Sequence, residues 1–76
     1  MSTPSALGQP LTPTQLECLT GVARGETSPE IAARTYRARD TVDDAIRHAC
    51  TRLGARTRAH AVALGITRGL INLEDA

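Results

Sequence analysis

Residues 28–54 read Ser28-Pro29-Glu30-Ile31-Ala32-Ala33-Arg34-Thr35-Tyr36-Arg37-Ala38-Arg39-Asp40-Thr41-Val42-Asp43-Asp44-Ala45-Ile46-Arg47-His48-Ala49-Cys50-Thr51-Arg52-Leu53-Gly54. Ser28 or Thr27 caps a short helix over about 28–35, with Pro29 in its first turn. Ile31-Ala32 and Thr35-Tyr36 are expected to form its inner face. A break near Arg37–Asp40 separates it from a second helix over 40–53. There Val42, Ile46, Ala49-Cys50 and Leu53 recur as one apolar stripe, and Gly54 supplies the stop. Two short helices joined by a tight break, the second amphipathic and flanked by Arg, make a helix-turn-helix pattern.

Helical signals continue on both sides. Upstream, Thr12 reads as an N-cap, Pro13 as the first helical residue and Gln15 as the third. Leu16, Leu19 and Val22-Ala23 carry a helix over about 13–24, and Gly25 ends it. Downstream, Thr57 caps a helix over about 57–68, with Ala61-Val62 and Gly65-Ile66 turned inward. Gly69 ends that helix and Leu70-Ile71 fold back. The organisation is a disordered arm over 1–10, one domain over 11–71 and a polar tail over 72–76. The class is all-α with four helices. The expected core is Leu16, Leu19, Ile31, Val42, Ile46, Leu53, Val62 and Leu70.

Composition fits a small helical domain. Seventy-six residues build one domain at most. With no Phe, no Trp and one Tyr, the core must come from Leu, Ile, Val and Ala. No apolar run is long enough to span a bilayer, and no signal peptide is visible, so a cytoplasmic, non-membrane protein is expected. Cys18 and Cys50 form no CxxC, and His48 and His60 complete no zinc spacing. They read as packed, reduced thiols, with no metal and no cofactor. No triad, Gly-rich phosphate loop or catalytic carboxylate pair is present, so an enzyme is not expected.

Net charge is +1, unevenly placed. All nine basic residues are Arg, which a G+C-rich coding composition explains more readily than selection for the Arg fork. Seven of them lie in 34–58, where a nucleic-acid surface would be, diluted there by Asp40, Asp43 and Asp44.

Several motifs carry a family resemblance. They are Leu11-Thr12-Pro13, Glu30-Ile31-Ala32-Ala33, Thr41-Val42, the Leu53-Gly54 to Ala61-Val62 run, and Gly69-Leu70-Ile71. In order and spacing they resemble the LuxR-type (GerE-type) helix-turn-helix DNA-binding domain over residues 11–71. A sigma-factor C-terminal domain shares the Leu-Thr-Pro opening but lacks the fourth helix.

The resemblance implies a four-helix bundle whose third helix lies in the major groove. It also implies a fourth helix that forms a two-fold dimer contact. Carried onto this chain, the DNA-facing set is Arg37, Arg39, Thr41, Asp43, Asp44, Arg47, His48, Thr51 and Arg52, with Arg56 and Arg58 also available to phosphate. The dimer set is His60, Ala63, Leu64 and Thr67, with Leu64 on the outer face.

The chain departs from the family pattern at telling places. Asp43 stands where a basic residue normally follows Thr-Val, and Ala45 where a histidine faces DNA. Arg37 and Ala38 replace an aliphatic residue and a Ser cap; Thr35 and Ala49 replace larger aliphatics. Asp40 is expected to substitute as N-cap, with Asp43–Arg47 and Asp44–His48 pairing at i, i+4. Carboxylates in the first turn favour the helix dipole but repel phosphate. Asp43 or Asp44 would read a cytosine amino group if either faced a base.

Two readings follow. One is a stand-alone transcriptional regulator that binds double-stranded DNA as a homodimer. The other is a protein-interaction module on the same fold, in which the acidic helix start contacts a basic surface of a protein partner, or the chain pairs with a full-length regulator and blocks it.

Overall fold

Helix starts are set by side chains that satisfy free backbone N–H groups, and three of the four starts here are built that way. The computed structural model describes residues 10–72. Its helices are α1 (Pro13–Ala23), α2 (Ser28–Thr35), α3 (Arg39–Leu53) and α4 (Arg58–Thr67), with no strand among the described residues. The arm and tail expected from the sequence lie outside those residues, apart from Pro10 and Asn72.

At α1 the capping box forms as expected. Gln15 N–H donates to Thr12 Oγ1 at 3.2 Å, and Thr12 N–H donates to Gln15 Oε1 at 3.1 Å. At α2 the cap is Thr27 rather than Ser28, in a second capping box with Glu30. Those hydrogen bonds hold the exposed Glu30 carboxyl below its usual range. Ser28 is thereby left as the first helical residue, its hydroxyl free for another task. Thr57 caps α4, accepting from His60 N–H at 3.1 Å.

The start of α3 corrects the sequence reading. Asp40 is not the cap. The N-cap is Ala38, which offers no side-chain oxygen, and the helix begins one residue earlier, at Arg39. Asp40 sits inside the first turn, where its charge still suits the helix dipole.

The turn between α2 and α3 is Tyr36-Arg37-Ala38. Tyr36 ends α2 in the left-handed conformation (φ 57°, ψ 39°), and Arg37 N–H returns to Ala32 C=O at 3.0 Å. A left-handed residue throws its Cβ off the helical track. The Tyr36 ring is accordingly 96% exposed, not on the inner face of α2. Thr35 stays half-buried and donates its hydroxyl to Ile31 C=O.

The core has two joined parts. Cys18, Ile31, Ala32, Val42, Ala45 and Ile46 close α1, α2 and α3. Leu19, Ala49, Leu53, Ala61 and Ile71 close α1, α3 and α4. Cys50 packs against both. Burial raises the pKa of both thiols, so neither is an activated nucleophile.

Of the eight expected core residues, Leu19, Ile31, Val42, Ile46 and Leu53 are buried. Leu16 and Val62 are half-buried, and Leu70 is exposed. The reason lies after α4. Leu70 and Ile71 both return their N–H groups to Gly65 C=O, at 2.8 and 3.2 Å, and in that tight return only one side chain can face inward. It is Ile71, whose Cδ1 lies 2.6 Å from where a Cβ at Gly65 would stand. Ile66 is turned outward as well, against expectation, whereas Leu64 packs half-buried on the second cluster.

Candidate nucleic-acid interface

The inner stripe of α3 is Val42, Ala45, Ile46, Ala49 and Leu53. The opposite stripe, at helical spacing, is Asp40, Asp44, Arg47 and Thr51, all exposed. Thr41 and His48 are exposed on one side of it. Ala45, where the resemblance puts a DNA-facing histidine, is buried among α1–α3 and adds nothing to this face.

The three carboxylates at the helix start differ sharply in their surroundings. Asp43 accepts the Ser28 hydroxyl on Oδ1 at 2.5 Å and Arg58 Nη2 on the same oxygen at 3.1 Å. Arg58 Nη1 also donates to Ser28 Oγ at 3.3 Å, and Arg39 Nε stands 3.9 Å from Asp43 Oδ2. One carboxylate therefore ties the starts of α2 and α4 to the second turn of α3. The Ser28 hydrogen bond, aided by Arg58 and Arg39, holds its carboxyl below the ordinary Asp range against partial desolvation.

The pairings differ from those expected at i, i+4. Asp43 faces Ser28 and Arg58, so it does not take Arg47. Asp44 takes Arg47 instead, at i, i+3 on the outward stripe, and not His48. Asp40 has no hydrogen-bonding or ionic partner among the described residues.

The remaining arginines are distributed around the domain. Arg37 turns back to Glu17 and Thr14 of α1, away from the outward stripe of α3. Arg52 donates to the Pro10 carbonyl at 2.6 Å and ties the chain before α1 to the end of α3. Arg34 makes a two-pronged pair with Glu26 at 2.8 Å for each bond. Thr51 bonds the Arg47 carbonyl. Arg39, Arg47 and Arg58 remain gathered along one side of α3 with about half or more of their side-chain surface in water. Exposed ion pairs of this kind are worth about 0–1 kcal/mol, so an incoming phosphate can compete for each guanidinium.

The sequence reading missed Ser28. Its signal was present but indirect: two adjacent cap candidates, of which only one is needed. What Asp43 would do with the spare hydroxyl was hidden by a separation of 15 residues.

On α4, His60, Ala63 and Thr67 of the expected dimer set are exposed, and Leu64 is partly covered by the chain itself. His60 Nδ1 accepts Arg56 N–H at 3.1 Å, which fixes the ring against the preceding loop. The outward apolar side chains at this end are Ile66 and Leu70. No helix among the described residues is long and apolar enough to cross a membrane.

With this geometry in hand, two comparisons bear on the chain. The family model described as bacterial regulatory proteins, luxR family, matches residues 9–64, which include α1, α2, α3 and the first part of α4. No curated protein matches it.

Proposed function

The chain belongs to the luxR family of bacterial regulatory proteins, whose domain is a helix-turn-helix DNA-binding unit of transcription regulators, and from that premise we propose that residues 11–71 bind double-stranded DNA through α3. The observation that carries this is the division of α3. Its inner stripe is sealed in the core, and Ser28, Asp43 and Arg58 brace its flank against α2 and α4. Its outward stripe is left exposed. A helix about 10–12 Å across fills a major groove about 12 Å wide, so both flanks of α3 adjoin phosphates. Arg39, Arg47 and Arg58 then serve the backbone on one side, with Arg47 also in reach of base edges. Thr41, His48, Thr51 and Arg52 serve the other parts of that surface, and Arg37 acts through α1 rather than through DNA.

We further propose a homodimer through the outer side of α4, with Ala63, Thr67, Ile66 and Leu70 at its centre and His60 at its edge. A dimer reads a two-fold site, and the cytoplasm is where such DNA is met.

The test is a fluorescence-anisotropy titration of duplex genomic fragments at two salt concentrations. Phosphate-dominated binding weakens steeply as salt rises. Arg47→Ala is expected to weaken specific binding by about 1–3 kcal/mol. A wild-type chain that binds no duplex at low salt, while its Asp43→Ala/Asp44→Ala form does, would contradict DNA binding and leave the acidic start of α3 as a surface for a protein partner.

A further inference from the structure

Three carboxylates open α3, and the structure sorts them. Asp43 is engaged by Ser28, Arg58 and Arg39. Asp44 is engaged by Arg47. Asp40 is engaged by nothing among the described residues, is exposed, and heads the outward stripe that continues through Asp44, Arg47 and Thr51. It also lies in the first turn, the part of a recognition helix that meets base edges.

From this sorting we infer that Asp40 sets base specificity at one position of each half-site, and that it selects cytosine there. The inference rests on the reading that α3 enters the major groove. A bare carboxylate has acceptors only. In the major groove cytosine offers the N4 amino donor, whereas guanine offers O6 and N7, and thymine offers O4, all acceptors. Against guanine and thymine the carboxylate is repelled and left desolvated without a hydrogen bond. Adenine offers N6–H beside the acceptor N7, an intermediate case. The discrimination is thus made as much by rejection as by attraction. Asp43 cannot perform it, because Ser28 and Arg58 already occupy its Oδ1 and hold it on the flank.

Among the described residues the Asp40 side chain makes no hydrogen bond or ion pair, so its variants break no contact of the fold and the test reads recognition. Randomised duplexes are selected with the wild type, Asp40→Asn, Asp40→Ala and Asp43→Asn, and the enriched sites compared position by position. The wild type is expected to enrich cytosine at one position of each half-site. Asp40→Asn moves that position toward adenine, since an amide pairs with N6 and N7. Asp40→Ala relaxes it, lowering discrimination by a factor of about 5 to 150. Asp43→Asn leaves it unchanged.

Identical enriched sites for the wild type and both Asp40 variants would overturn the inference while leaving DNA binding intact. A shift of the cytosine position by Asp43→Asn would do the same, and so would a wild-type preference for another base at the Asp40-sensitive position. A wild type that enriches no sequence overturns the DNA-binding reading and this inference with it.

Discussion

Gly65→Ala is the change whose outcome depends most closely on how the chain returns after α4. An ideal Cβ at Gly65 lies 2.6 Å from Ile71 Cδ1, 3.0 Å from Ile71 Cγ1 and 3.6 Å from Leu19 Cδ2. Two effects oppose each other. Replacing glycine inside a helix gains about 0.8–1.0 kcal/mol, less here because the position lies in the last turn of α4. Forcing a methyl into a filled space costs about 1–3 kcal/mol. The tip of Ile71 would have to move, yet Ile71 is only 5% exposed and belongs to the second core cluster. Its N–H is also bonded to the Gly65 carbonyl at 3.2 Å. The overpacking cost should therefore win by up to about 2 kcal/mol, a fall in Tm of about 4–8 °C for each kcal/mol in a domain this small. Ile71→Val removes Cδ1 at a cost of about 0.5–1.5 kcal/mol. In that background Gly65→Ala should be neutral or stabilising. Urea denaturation followed by far-UV circular dichroism on the wild type, both single variants and the double variant gives the coupling energy directly. If Gly65→Ala costs the same in both backgrounds, Ile71 does not lie over Gly65 and the account of the chain reversal is wrong.

Further outcomes follow from the same contacts. Ile46→Ala, at a site 1% exposed between α1, α2 and α3, should cost about 2–5 kcal/mol in urea denaturation; a loss well under 1 kcal/mol would remove Ile46 from the core. Asp43 stays ionised to lower pH in the folded chain than in the unfolded one. Its contribution is therefore present above the ordinary Asp range and lost as pH falls from that range through the lowered folded value. Asp43→Asn should flatten that segment of the stability–pH curve, and parallel curves for the two proteins would refute the assignment. Leu70→Ser should abolish self-association in sedimentation equilibrium with little loss of stability, whereas Leu64→Ala should lower stability first; the reverse pattern would place the dimer contact on Leu64.

Much of the fold was readable because it is written in local signals. Thr12 with Gln15, Pro13, Pro29, Gly54 and Thr57 act within four residues of themselves, and each does what its type implies. The stripe of Val42, Ile46 and Leu53 has one period and one buried outcome. The misreadings come where two neighbours compete for one role. Leu70 and Ile71 are equally apolar, and only the bonds to Gly65 C=O decide which turns inward. Thr35 and Tyr36 look continuous until the left-handed turn at Tyr36 breaks the helical track. Ser28 and Thr27 are interchangeable as caps, and the choice of Thr27 frees Ser28 for Asp43. The candidate interface was less legible for a related reason. Helical spacing offers partners three or four residues away without choosing between them, so Arg47 was expected on Asp43 and pairs with Asp44 instead. It says nothing of Arg58, 15 residues from Asp43, or of Glu17, 20 residues from Arg37.

That long-range pairing resolves the apparent conflict between an acidic helix start and a DNA-binding family. A carboxylate is costly in the groove because it must lose water and lie near phosphates. Asp43 has already exchanged part of its hydration for the Ser28 hydroxyl and the Arg58 guanidinium, with Arg39 beside it. Its side of α3 therefore presents two guanidinium groups around one carboxylate, a local excess of positive charge. At Asp44 and Arg47 the charges cancel. The distances within these groups are well below the screening length of about 8–10 Å at physiological salt, so a phosphate senses each as a unit and not as isolated charges. Repulsion that looks threefold in the sequence is reduced in the folded chain to Asp40. A single unpaired carboxylate weakens every site a little and weakens guanine and thymine most, which is how a residue of the wrong sign for affinity becomes useful for selectivity.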